Sequence, residues 1–101
     1  MDEFKTAVAF DMSCVEPELV RWLDTIGTVV PMCAQGASHR DFSLNAGGVA
    51  RVFWQPLPDR VIALVRMKRL DVQIQFSAGV DAAGRARFIK TFELYTLRGG
   101  G

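Results

Sequence analysis

Four consecutive residues, Ser38-His39-Arg40-Asp41, bring a hydroxyl, an imidazole and a carboxylate into one short stretch, with the Cys33 thiol just upstream. These are the side-chain types of acyl transfer, in which a base takes the proton of a nucleophile and a carboxylate orients the base. They act only when they converge on one point, which they normally do from distant parts of a fold; neighbours in a polar loop seldom do. No Gly-x-Ser-x-Gly elbow accompanies them, and a lone histidine among polar residues is usually solvated. No catalytic residue is assigned, and the chain reads as a non-enzyme.

The other reactive types are equally sparse. Cys14 and Cys33 lack Cys-x-x-Cys spacing, and a single histidine cannot build a zinc site without both distant cysteines, so no metal is expected. Both thiols are expected to be reduced and buried. Glu16 and Glu18 flank Pro17 at a helix start, where they oppose the positive end of the helix dipole. Gly47-Gly48 lacks the lysine and hydroxyl of a phosphate loop as well as the Gly-x-Gly-x-x-Gly pattern, and reads as a turn. No cofactor is implied.

Charge is uneven. Residues 1 to 45 carry seven acids and three bases (net −4), whereas residues 46 to 101 carry four and nine (net +5). Arg51, Arg66, Lys68, Arg69, Arg85 and Arg87, interleaved with Phe53 and Trp54, could track phosphates while an aromatic ring stacks on a base, so nucleic acid is the alternative partner. The competing explanation is ion pairing between the two halves. The acidic Met1-Asp2-Glu3 start and the lack of a long apolar run imply cytoplasmic residence and no membrane partner.

The elements that must position these groups follow from periodicity. Phe4 to Phe10 alternates as a strand; Ser13 and Pro17 can open a helix whose stripe is Leu19, Trp22, Leu23 and Ile26, ended by Gly27. Thr28 to Cys33 and Asp41 to Leu44 read as strands around a polar loop, and Asn45-Ala46-Gly47-Gly48 as a hairpin turn into a strand from Val49 to Gln55. Pro56-Leu57-Pro58-Asp59 reads as a break. Val61 to Met67 is apolar on both faces, as in a central strand covered on each side. A basic corner, Arg66 to Arg69, then leads to Leu70–Ser77, which alternates cleanly and has one wet face. For residues 82 to 97, Asp81 as N-cap, the stripe Phe88, Ile89, Phe92 and Tyr95, and Gly99 as stop predict a helix; a hairpin strand is the alternative.

One α+β domain follows, with a mainly antiparallel, curved sheet of five to six strands, a short helix after strand one, a C-terminal helix and a flexible glycine tail at residues 99 to 101. This element order is similar to a reduced helix-grip domain, a resemblance that implies an apolar ligand cavity. Leu97-Arg98-Gly99-Gly100 resembles the tail of ubiquitin-like proteins, which implies conjugation through a diglycine end, although those folds place two strands before the main helix. A fraying helix end explains the same residues.

The aromatic inventory is generous for so few helices, and the two-sided strand lacks enough helix to cover it. The expected function is therefore binding: of a protein partner, including a second copy of the chain, or of an apolar small molecule between the sheet and the C-terminal helix. The expected surface comprises Ile62, Leu64, Trp54, Phe88, Phe92 and Tyr95.

Overall fold

The structure, a computed structural model, describes residues 4–44 and 47–100, the last four as backbone only. In chain order the elements are β1 (Lys5–Met12), α1 (Glu16–Ile26), β2 (Met32–Gln35), β3 (His39–Ser43), β4 (Val49–Ile62), β5 (Val65–Phe76) and α2 (Ala82–Gly100). The strands form one antiparallel sheet in the order β1-β5-β4-β3-β2, so the first strand lies beside the last. This is the α+β architecture expected from the alternating and helical periods, with five strands and both helices.

Side-chain alternation divides the sheet into a dry and a wet face. Val52, Trp54, Val72, Ile74 and Phe42 point to the dry face, where they pack against Leu19, Leu23 and Ile26 of α1 and Phe88 and Phe92 of α2. Phe10 stacks on Phe92 at 5.5 Å between ring centroids, and Phe88 touches Phe42 and Phe76 at 5.4 and 6.1 Å. On the wet face, Gln73 accepts from Thr6 and Gln75 and donates to Asp71, which also accepts from Gln55.

The helices form largely as their stripes dictate. Leu19, Leu23 and Ile26 are buried, Trp22 is half-buried, and Pro17 sits in the first turn. Ser13 is not the cap: Val15 occupies that position and no side chain caps the helix. The Asp81 carboxylate accepts from the Gly84 amide at 2.7 Å, the N-cap expected for α2. The backbone of α2 continues to Gly100, past the expected stop at Gly99. Of the Asn45-Ala46-Gly47-Gly48 turn, the first two residues lie outside the described residues, while Gly47 and Gly48 take φ of 92° and 88°. A Cβ on Gly48 would also strike Val80, at 2.5 Å.

Three expectations about the strands are corrected. Thr28 to Val30 is a turn hydrogen-bonded back to α1, so β2 starts only after Pro31. Pro56 and Pro58 do not break the chain: β4 runs through both, paired with β5 on its other side. The Trp54 amide points outward to the Ser38 carbonyl, and alternation turns the Pro56 nitrogen to that same side, where β3 has ended and no donor is needed. Pro58 lies at a bulge between Leu57 and Arg60, the other place a strand tolerates proline. Nor is Arg66 to Arg69 a corner. The strands are joined at Ala63-Leu64, with Ile62 paired to Val65, and the basic residues lie inside β5.

Substitution should separate the packed sheet from what projects beyond it. Phe92→Ala removes a fully buried ring, and urea denaturation should show a loss of about 3–5 kcal/mol. Leu64→Ser, at a fully exposed position, should stay within about 0.5 kcal/mol of the parent.

Candidate functional site

The central hairpin is longer than the sheet it belongs to. β1 pairs with β5 only from Leu70 to Phe76, and β3 pairs with β4 only from Val49 to Phe53. β1 still flanks β5 at Asp71 and Leu70, opposite Gln55 and Pro56; from Leu57 and Arg69 outward the two strands continue as a bare two-stranded arm for roughly 20 Å, at about 3.3 Å per residue. It contributes to a molecule measuring 48 × 26 × 23 Å. The base is fastened. Trp54 is buried, donates its indole N–H to Glu16 Oε2 at 2.7 Å, and carries the Arg40 guanidinium 5.3 Å above its ring. Asp11 of β1 accepts from Arg69 at 2.7 Å and from Arg60 at 3.4 Å, and Arg69 also donates to the Pro58 carbonyl.

The far end is apolar and uncovered. Relative exposures are 58% for Val61, 58% for Ile62, 100% for Leu64 and 59% for Val65. The expectation that Val61–Met67 is covered on both faces is thereby overturned: both faces are apolar because the segment turns at a projecting tip, not because layers enclose it. Ala63 takes φ 55° as the first of two central turn residues, the pattern of a type II′ hairpin, a position that favours glycine.

The edges leading to this tip resist strand pairing. The β4 edge lacks the amide hydrogens of Pro56 and Pro58, and the β5 edge carries Arg66 and Lys68, whose cations lie 3.7 and 3.5 Å from Asp59. Proline, a bulge and charge are the features that keep an exposed strand from templating another.

The six residues expected to form one surface are divided. Ile62 and Leu64 belong to the tip; Trp54, Phe88 and Phe92 are core; Tyr95 is half-buried against that core. Phe10 of β1 stacks directly on Phe92 of α2.

The basic residues are likewise dispersed. Arg51 is held on the wet face by two hydrogen bonds to Asp41 at 2.8 and 3.0 Å, which raise its pKa, and its guanidinium lies 4.0 Å from the Phe4 ring centroid. Arg66, Lys68 and Arg69 lie on the arm, and Arg85 donates to the Val80 carbonyl at the start of α2. The pairs of Asp41 with Arg51 and of Asp11 with Arg60 and Arg69 join the acidic half of the sequence to the basic half.

The Ser38 to Asp41 stretch becomes the start of a strand, and alternation separates its members. His39 and Asp41 face the wet side while Arg40 lies across Trp54 on the other. Both Asp41 oxygens are taken by Arg51, and the His39 ring lies against Gly36, where a Cβ would sit 2.3 Å from it. Of the thiols, Cys14 is buried and Cys33 is exposed, correcting the expectation that both are enclosed. Burial, helped by Glu18, pushes Cys14 up to about 11.

At the end opposite the tip, a cleft of about 240 Å³ opens between the α1–β2 connection (Val29, Val30, Pro31), the turn after β3 (Leu44, Gly47) and the start of α2 (Val80, Phe88, Thr91). Nothing in the sequence pattern announced it, because its walls come from three segments far apart in the chain. Among the described residues no three His, Cys, Asp or Glu side chains gather as a metal site, and no helix is long and apolar enough to cross a membrane. Comparison with protein-family models, with curated proteins and with solved structures finds no match to this chain.

The two thiols should differ in reactivity. In the native protein a disulfide reagent should modify Cys33 quickly and Cys14 only on unfolding. Because the Cys14 pKa is raised from 9.0 to about 11 on folding, its contribution is complete below pH 9 and falls away as pH rises through 11. Cys14→Ala should remove on the order of 2 kcal/mol of the alkaline loss measured by denaturation between those pH values.

Proposed function

We propose that this chain is a non-enzymatic binding domain whose ligand is a protein, namely a second copy of itself, engaged through the tip of the β4–β5 arm. The observation that carries this reading is the exposure of Val61, Ile62, Leu64 and Val65 together at the end of a braced projection. Scattered exposed aliphatic residues need no explanation, whereas several gathered on one protruding turn mark a contact surface. A lone two-stranded hairpin is only marginally stable in water. Asp11 and the clamp at Trp54 support the arm from below and Asp59 ties its two strands together, while among the described residues the tip has no contact that rewards its projection.

The contact area of a hairpin tip is small, so association belongs to the weak, transient class. Burying Leu64 alone contributes about 2 kcal/mol. Sedimentation velocity over loading concentrations rising to the millimolar range should show the mean mass of the parent increase. Leu64→Asp should weaken that association at least tenfold, to or below detection, with an unchanged thermal unfolding midpoint. A parent that stays monomeric throughout the range rules the reading out.

A further inference from the structure

We infer that the receiving site for the arm tip is the apolar cleft at the opposite end of a second copy, so that copies associate head to tail. This rests on the reading that the tip mediates self-association, and adds where it docks. The tip is a convex apolar plug and the cleft a concave one, floored by Val80 and Phe88 and walled by Val29, Pro31 and Leu44. Val29 is itself 57% exposed, so apolar surface at the mouth is uncovered as it is at the tip. The rim carries one charge of each sign, Asp81 and Arg87, and so does not repel the cationic flanks of the arm.

Geometry excludes the same contact within one chain. β4 runs away from the cleft toward the tip, while β5 returns to it and leads into α2. Plug and socket therefore lie at opposite ends of the molecule. Symmetric pairing of two arms is the competing arrangement, but Pro56, Pro58, Arg66 and Lys68 line the edges it would use. Tip against tip would bury only the turn, whereas the socket encloses it on several sides. When copies stack end to end rather than pairing reciprocally side by side, a contact between two different patches does not saturate at two copies; it gives a closed ring or an extending filament.

The test is complementation between two defective variants. Leu64→Asp spoils the plug and keeps the socket; Val29→Glu spoils the socket and keeps the plug; Leu64→Ser and Thr91→Glu serve as second choices if either first variant unfolds early in a circular-dichroism melt. In sedimentation velocity the parent should grow past two copies with concentration. Each variant alone should stay monomeric, at least tenfold weaker than the parent. An equimolar mixture should form a two-chain complex and nothing larger, since its remaining plug and socket are both spoiled. If the parent associates but Val29→Glu associates equally, or if the mixture stays monomeric, the socket is wrong while self-association through the tip survives. A parent that remains monomeric overturns both. So does a monomeric parent that co-sediments with phosphatidylserine vesicles when Leu64→Asp does not, because the tip is then a membrane contact.

Discussion

The β4–β5 ladder is the constraint on which every other placement depends. Its register, from Ala50 opposite Phe76 to Ile62 opposite Val65, closes through two residues and decides which side chains of both strands face the helices. A slip of one residue would turn Val72 and Ile74 to the wet face while Val52 and Trp54 stayed on the dry one. β1 and β3 then attach to the outer edges of this pair, and β2 attaches to β3. The aromatic contacts of α2 with Phe10, Phe42 and Phe76 lie across strands whose spacing the ladder has already set.

The ladder also outruns the core it organises. Trp54 and Leu70 mark the boundary: below them both edges of the hairpin have neighbouring strands, and from Leu57 and Arg69 outward the two strands have only each other. The change in chemistry coincides with the change in environment. Prolines, a bulge and the Asp59–Arg66–Lys68 cluster occupy the free edges, and the exposed aliphatic residues of the arm gather at and beside the turn. A projection of this kind exposes a small aliphatic surface and denies its flanks to other strands.

Much of this was legible from periodicity. The strand at Lys5–Met12, the stripe of α1, the wet face of Asp71, Gln73 and Gln75, and the cap and stripe of α2 all follow from repeats of two or of three to four residues. The arm was not legible, for three physical reasons. Its turn, Ala63-Leu64, contains none of the Gly, Asn or Asp that normally announce a positive φ. Its prolines look like breakers unless one knows that β3 has already ended beside them. Two-sided apolarity at Val61–Met67 fits a sandwiched strand as well as an exposed tip, and only the tertiary arrangement separates the two. The cleft was invisible for a further reason: each of its walls is locally an ordinary connection.

The adjacency of β1 and β5 has a consequence for how the chain is made. Lys5 pairs with Phe76 and Met12 with Leu70, so β1 is synthesised well before its partner and finds it only after β5 has left the ribosome. Contacts of such large sequence separation form late, because the intervening loop must be closed before they are rewarded. Until then Val8 and Phe10 have no sheet to join, whereas the β4–β5 hairpin closes locally through its two-residue turn. Vectorial synthesis therefore leaves β1 without its sheet partner until β5 is made, and that unpaired interval exposes its apolar residues to off-pathway pairing.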